Sequence, residues 1–159
     1  MQRFLLLLAC ALAATTTCAR AGDASGDLAV IVNKASKLDD VSSADLAKYF
    51  KADKSKAPDG TKLVIVMHDA GRPERDAALK GIYKMSEEAY TEHFVEATFT
   101  GAVTAAPKAL PSAAAVKKFV AETAGGIGYV RASDADDSVK VLKVDGQAPG
   151  DANYRLKLK

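Results

Sequence analysis

The chain of 159 residues carries 22 lysine and arginine residues against 20 aspartate and glutamate residues, which gives a formal net charge of +2. This length is sufficient for one domain with its own hydrophobic core. The near balance of charge excludes the basic field that would attract nucleic acid or an anionic membrane.

The first 21 residues have the pattern of a cleavable signal peptide. Arg3 supplies a positive charge, residues 4–14 form a nearly unbroken apolar run, and Ala19-Arg20-Ala21 fits the small-x-small pattern of a cleavage site. The apolar run is shorter than the roughly 20 residues that a membrane-spanning helix needs. We therefore predict cleavage after Ala21 and export to the periplasm.

Acylation of Cys18, as in a lipoprotein, is the alternative to a soluble exported product. The preceding residues 15–17 are all threonine and lack the leucine expected of a lipobox. Cleavage after Ala21 would remove both cysteines, Cys10 and Cys18, so the single predicted domain, 22–159, would contain no disulfide and no thiolate metal site. Arg3 and Arg20 would leave as well, so basic and acidic residues would then be equal in number.

The first half of the predicted domain alternates strands with a helix. A β-branched apolar run at 28–32 predicts a buried strand, and a second run at 63–67 predicts another. Between them, Ser42 is the expected cap of a helix whose apolar stripe contains Leu46, Tyr49 and Phe50. Pro58-Asp59-Gly60 has the residues of a turn before the second strand.

The second half continues this alternation. Pro73, Ser86 and Ser112 are expected at the beginnings of three helices. On the second of these helices we predict that three aromatic residues belong to the core: Tyr90, Phe94 and Phe99. Residues 100–111 are predicted as a loop, 127–130 as a short strand, and 139–144 as a final strand or a hairpin turning at Asp145-Gly146. The alternation predicts a layered α/β domain.

Several segments of the chain form an ordered set of motifs. In chain order they are Val32-Asn33-Lys34, the helix with Val41, Leu46 and Phe50, then Asp59-Gly60, Gly125-Gly126-Ile127-Gly128-Tyr129-Val130, the stretch 141–146, Pro149 and Tyr154. This ordered set resembles the phosphate-binding protein family of ABC transporters, of which PstS is the type. The resemblance implies a three-layer α/β fold with a small mixed sheet flanked by helices. Full-length relatives have two lobes, and the resemblance implies a single lobe here.

The stretch 67–75 is the candidate ligand site. A strand, a glycine-containing loop and a helix start present free backbone N–H groups and the positive end of the helix dipole to an anion. Arg72 and Arg75 add charge-assisted hydrogen-bond donors suited to phosphate oxygens. The predicted anion-binding residues are therefore His68, Asp69, Gly71, Arg72 and Arg75.

This loop departs from the family pattern, which reads Arg-x-Asp-Gly-Ser-Gly-Thr. Gly71 is the clear match, and the other positions hold His68, Ala70, Arg72, Pro73 and Glu74 in place of Arg, Asp, Ser, Gly and Thr. Pro73 removes one backbone donor, and Glu74 places a carboxylate where the dipole would favour the ligand. The alternative interpretation is an ordinary strand-to-helix turn with solvated arginines.

No other residues form a recognisable reaction centre. His93 is interpreted as structural, and the acidic run Asp134, Asp136 and Asp137 lacks the spacing of a calcium-binding loop. No pairing of a nucleophile with a base stands out, so we predict neither an enzyme nor a cofactor nor a metal site.

Two functions remain in consideration. The first is a solute-binding protein that recognises phosphate or a similar small oxyanion for an ABC permease or a sensor, with two chains pairing to close the open site. The second is a single-lobe module that has lost ligand binding and docks on a protein partner. Fold alone does not decide between them.

Overall fold

The computed structural model describes residues 26–158. The predicted signal peptide, its cleavage site and Cys18 lie outside this range. Within residues 26–158, no helix has both the length and the apolar character needed to cross a membrane.

Helices and strands alternate through most of the described chain. The strands are β1 (Leu28–Val32), β2 (Asp40–Val41), β3 (Val64–His68), β4 (Lys108–Leu110), β5 (Gly126–Arg131), β6 (Lys140–Val141) and β7 (Lys143–Val144). The helices are α1 (Ser43–Phe50), α2 (Pro73–Ala78), α3 (Glu87–Phe99) and α4 (Ala113–Glu122). A π-helical turn, Leu79–Tyr83, continues α2, and a short 3₁₀ turn, Ala132–Asp134, follows β5.

The central sheet is mixed, with the strand order β4-β3-β5-β1-β6. β3 runs parallel to both of its neighbours, β4 and β5, whereas β1 runs antiparallel to β5 and β6. The short strands β2 and β7 pair in parallel outside this sheet. Because β3 and β5 are adjacent and parallel, their carboxyl ends lie at the same edge of the sheet.

Side chains alternate between two buried clusters on the two faces of the sheet. From β1, Leu28, Val30 and Val32 enter the larger cluster, which also contains buried residues of α1, α3 and the π-helical turn. Ile31 points to the opposite face and joins Val116, among others, in the smaller cluster beneath α4. The sheet is therefore the middle of three layers, which confirms the predicted fold class.

Local signals in the sequence predicted the helix starts correctly. The side chains of Ser42, Ser86 and Ser112 each accept a hydrogen bond from the backbone N–H three residues later. Pro73 occupies the first position of α2. These interactions lie within one helical turn, so neighbouring residues are sufficient to specify them.

Two predictions were wrong. The segment predicted as a loop at 100–111 contains β4, whose backbone gains its partners from the distant strand β3. Phe99, predicted to lie in the core, is 92% exposed. Phe94 and Phe99 are five residues apart on α3, and five helical steps of about 100° turn the second side chain away from the buried face of the first.

Candidate functional site

The loop between β3 and α2 lies at the carboxyl edge of the sheet. The backbone N–H of Asp69 donates to Leu110 O at 3.0 Å, which holds the start of the loop against β4. Gly71 has a φ of 80°, a left-handed conformation that favours glycine. Arg72 then caps α2 with an extended backbone, and its carbonyl accepts from the N–H groups of Arg75 and Asp76.

Arg75 turns inward rather than towards solvent. Its Nη1 donates to His68 O at 3.0 Å, while Nε and Nη2 donate to the two carboxylate oxygens of Glu87 at 2.8 and 2.5 Å. The guanidinium also lies 4.9 Å from the centre of the Tyr90 ring. The hydrogen bonds that Arg75 donates to Glu87 raise the pKa of Arg75 above its ordinary value. Arg75 therefore ties α3 to the end of β3.

Glu74 brings a buried carboxylate between two arginines. Its Oε1 accepts from Arg131 Nε at 2.5 Å, and its Oε2 lies 3.8 Å from Arg72 Nε. Burial by itself would raise the pKa of Glu74, but hydrogen bonds from Arg131 and from its own backbone N–H outweigh this effect and lower it. An anionic group thus already occupies the beginning of α2.

His68 is fully buried, and its side chain lies inside the protein. Its ring centre lies 5.6 Å from that of Tyr129, and its backbone N–H donates to the Tyr129 hydroxyl at 3.3 Å. Neither ring nitrogen has a hydrogen-bond partner within residues 26–158. Loss of solvation lowers the pKa of His68, which favours the neutral imidazole.

The structure separates the five predicted site residues into two groups. Gly71 and Arg72 are exposed and Asp69 is half-buried, so these three lie on the outer side of the loop. His68 and Arg75 are buried, and their side chains make contacts in the interior. The acidic run at 134–137 is a turn in which Asp136 accepts from Lys117 and Ser138.

Two contributors were missed from the sequence. Arg131 ends β5 and reaches Glu74 because β5 is the parallel neighbour of β3. An open cavity of about 470 Å³ also borders the loop, lined by Gly71, Pro73, Asp76, Ala77, Lys80, Gly81, Arg155 and Lys157. Both features depend on which strands are neighbours and where the chain end lies, and no local pattern contains that information.

The site offers cations and backbone amides but no metal-ligating cluster. Within the described residues, no group of three or more His, Cys, Asp or Glu side chains is placed to hold a metal ion. Three basic residues, Lys80, Arg155 and Lys157, line the cavity with one carboxylate, that of Asp76, and Lys157 Nζ also pairs with Asp27 at 2.7 Å. The surroundings of the loop therefore favour an anionic small molecule over a cation.

Comparison with known proteins gave matches among solved structures. No protein-family model and no curated protein matched the chain. A Clostridium perfringens protein, assigned as a phosphate ABC transporter substrate-binding protein and crystallised with bound phosphate, superposes with a TM-score of 0.63 at 21% identity, over 78% of this chain and 47% of that one.

Two further solved structures show the same fold. An ABC-type phosphate transport receptor from Vibrio cholerae has a TM-score of 0.61 and 15% identity, over 78% of this chain and 48% of the receptor. PstS from Borrelia burgdorferi has a TM-score of 0.63 and 18% identity, over 84% and 55% of the two chains. The chain thus spans about half of the length of these structures, and the fold resemblance predicted from its motifs is confirmed.

Proposed function

We propose that this chain is an exported, non-enzymatic solute-binding domain that holds phosphate or a related small oxyanion beside the β3–α2 loop. The observation that carries the proposal is the convergence of Arg72 and Arg131 on the carboxylate of Glu74 at the start of α2. Arg131 donates to Glu74 Oε1, whereas Arg72 lies 3.8 Å from Oε2, an oxygen that accepts no hydrogen bond within residues 26–158. The two guanidinium groups therefore bring positive charge and donors to a place that an oxyanion could occupy. The fold shared with binding proteins, one of them crystallised with phosphate, supports the same function.

The geometry also predicts that binding is weak in the wild-type protein. Glu74 competes with any anion for the same two arginines, and Arg75 is already paired with Glu87. A ligand must displace the Glu74 carboxylate or bind outside it, where Arg72 is exposed and charge pairs are screened by water and salt. We therefore expect a dissociation constant on the order of 1 mM, a standard free energy of about −4 kcal/mol.

Isothermal titration with inorganic phosphate and with sulfate tests the proposal on the protein purified from Gly22 onward. Glu74→Gln should bind phosphate at least about tenfold more tightly than wild type, because it removes the competing charge and keeps both arginines. Arg72→Ala, added to the Glu74→Gln variant, should abolish this gain in phosphate affinity. Glu122→Gln, at an exposed glutamate on α4, is the matched control and should behave as wild type.

The thermal midpoint should rise with phosphate wherever the titration shows binding, since a ligand that binds only the folded state stabilises it. Circular dichroism confirms that each variant is folded. Absence of heat and of any thermal shift for both wild type and Glu74→Gln would remove the oxyanion function. It would leave the fold, which rests on the superpositions, unaffected.

The same proposal includes the cellular location and the domain organisation. Residues 1–21 act as a cleavable signal peptide, residues 22–159 form the single binding lobe, and the product works in the periplasm with an ABC permease or a sensor. The mass of the exported protein distinguishes a start at Gly22 from a lipid-modified Cys18. Two chains that pair across the loop would supply the second side of an otherwise open site.

A partner-binding module without ligand recognition is the second candidate. The observation that favours it is the internal neutralisation of the loop, in which Glu74 and Glu87 already pair with three arginines: Arg72, Arg75 and Arg131. A loop whose charges are satisfied from within needs no anion to stabilise it. Titrations that show no heat of binding for phosphate or sulfate would favour this second function.

A further inference from the structure

We propose that the outward face of α3 is a docking surface for a protein partner that presents an amphipathic basic segment, with apolar side chains flanked by lysine or arginine. The surface is distinct from the β3–α2 loop. Its exposed apolar end, Phe99, is twelve residues from Glu87, about 18 Å along the helix from the contact with Arg75. The inference therefore stands whether or not the loop holds an oxyanion.

The first observation is an apolar groove beside α3. Val95 is 65% exposed and Phe99 is 92% exposed, although both are large apolar residues in an ordered helix. They border a groove of about 500 Å³, whose other lining residues are Tyr90, Thr91, Phe94, Thr98 and Ala106. A contiguous apolar surface around an exposed aromatic side chain is typical of an interaction site.

The second observation is a row of glutamates next to this groove that form no salt bridge within residues 26–158. Residues four apart on an α-helix lie in one row, and α3 has three such rows in succession around its surface. These are the groove row Tyr90, Phe94 and Thr98, the apolar row Thr91, Val95 and Phe99, and the acidic row Glu88, Glu92 and Glu96. At about 100° per residue the apolar row lies between the other two.

The acidic row has no cationic neighbour that neutralises it. α3 contains no lysine or arginine. Among residues 26–158, the lysine and arginine nitrogens that lie within 4.0 Å of a carboxylate pair with groups other than Glu88, Glu92 and Glu96. Like charges at this spacing destabilise a helix, so their presence beside an apolar row has a cost that a basic partner would offset.

The sign of the charge selects the class of partner. A row of glutamates repels anionic lipid headgroups and nucleic-acid phosphates. A symmetric pairing of α3 with α3 of a second copy would bring the two acidic rows together if the helices were antiparallel, and would leave both rows without a cation if they were parallel. A helix that places apolar residues in the groove and lysines against Glu88, Glu92 and Glu96 satisfies both features. The rows extend over eleven helical steps, about 16 Å, which corresponds to three turns of a partner helix.

Fluorescence anisotropy with a synthetic peptide tests the surface. The probe is a labelled amphipathic helix of leucine and lysine, and its control has glutamate in place of every lysine. The leucine–lysine peptide should bind the wild-type protein saturably and the control peptide should not. Phe99→Ser should weaken binding at least tenfold, and because this side chain is almost fully exposed the variant should remain folded. The triple variant E88K/E92K/E96K should invert the preference between the two peptides.

A second triple variant separates a local surface from net charge. D53K/E122K/D137K makes the same change of charge at exposed acidic positions outside α3 and should bind the leucine–lysine peptide as wild type does. An equal loss of leucine–lysine peptide binding in both triple variants would overturn the proposal. Unchanged binding of this peptide by Phe99→Ser would overturn it as well. Sedimentation of the protein alone gives one more test, since a wild-type dimer that Phe99→Ser converts to a monomer would make a second copy the occupant and contradict a basic partner.

Discussion

At the scale of single residues, two arginines three positions apart differ in what surrounds them. Arg72 is exposed and lies 3.8 Å from one carboxylate oxygen, whereas Arg75 is buried and uses three nitrogens on two partners. If either the buried guanidinium or its hydrogen-bond partners are removed, the polar groups that remain in the interior are left without a partner. The two positions therefore differ in role: Arg75 joins elements of the interior, whereas Arg72 is exposed to solvent.

We predict that Arg75→Ala lowers the free energy of unfolding by about 3 kcal/mol, because Glu87 and the His68 carbonyl lose their donor. Arg72→Ala should cost less than about 1 kcal/mol, because Arg72 is exposed, lies 3.8 Å from Glu74, and leaves the pair between Arg131 and that carboxylate in place. Arg75→Lys should recover only part of the loss, since one ammonium cannot reproduce the planar fork. Urea unfolding monitored by circular dichroism measures all three. Similar losses for Arg72→Ala and Arg75→Ala would contradict this assignment of roles.

The position of the β3–α2 loop was predictable, but the directions of its side chains were not. The sequence located the loop that contains Gly71, because a strand, a glycine and a proline-initiated helix follow one another. It did not indicate that His68 and Arg75 would turn inward. That outcome depends on Glu87 and Tyr129, which are distant in sequence and meet the loop only in the folded sheet.

At the scale of helices and strands, features specified by neighbouring residues were predictable, and features that depend on distant residues were not. Helix starts at Ser42, Ser86 and Ser112 followed from neighbouring residues. β4 did not, because its three residues become a strand only through pairing with β3. The order of the strands could not be predicted from the sequence pattern either. The contact between Arg131 and Glu74 depends on that order and was therefore not predicted. Helix starts were therefore predictable from local capping residues, whereas features that depend on strand pairing were not.

The turn from α4 into β5 gives a prediction for an element boundary. Gly125 has a φ of 77°, and a Cβ at this position would lie 2.0 Å from Lys62 O. Gly125→Ala should therefore combine a left-handed backbone cost of about 1–2 kcal/mol with a packing cost of about 1–3 kcal/mol. Gly60 has a similar φ of 85° with open space around it, so Gly60→Ala should show the backbone cost alone.

Urea midpoints of the two glycine variants, compared with wild type, measure these costs. A clearly larger loss for Gly125→Ala would show that the close approach of the 62–64 segment to the end of α4 is rigid. Equal losses would mean that this segment moves aside at little cost, contrary to the hydrogen bond that Val64 N–H donates to Gly125 O at 3.0 Å.

At the scale of the whole molecule, the two ends of the described chain close on one another. The Tyr154 hydroxyl donates to Leu28 O at 2.7 Å, and the Leu28 N–H donates to Leu156 O at 2.9 Å. Tyr154 and Leu156 are buried in the same cluster as β1. The larger core thus joins segments from both ends, so a change in its interior should be felt in the global unfolding equilibrium.

The free energy of unfolding depends on pH through every titrating group of the molecule. Near neutral pH, we expect His68 to make the largest contribution to this dependence. An unfolded histidine has a pKa of about 6.5, and burial lowers the folded-state pKa of His68 below that value. Above pH 6.5 the imidazole is neutral in both states and contributes no pH dependence. As the pH falls below 6.5, the unfolded chain binds a proton that the folded chain does not, so stability decreases by at most about 1.4 kcal/mol per pH unit.

Carboxylates act over a lower range of pH. The pKa values of Asp59, Glu74 and Asp145 are lower than their ordinary values. Backbone hydrogen bonds are the main cause at Asp59 and Asp145. At Glu74, burial raises the pKa, but the hydrogen bond from Arg131 helps to outweigh this effect. The contribution of these three carboxylates is therefore fully present above the unfolded values, near pH 4, and is lost as the pH falls through the folded ones. Loss of stability that begins near pH 6.5 thus separates His68 from these groups.

We predict that the free energy of unfolding of the wild-type protein decreases as the pH falls below about 6.5, and that His68→Leu removes this slope while retaining the loss below about pH 4. Leucine fills much of the same buried volume and cannot bind a proton. Urea unfolding at a series of pH values, with both proteins in the same buffers, measures the two slopes. The same slope in both proteins would mean that the buried imidazole takes up a proton in the folded state, which would place the positive charge of His68 beside the Glu74 carboxylate.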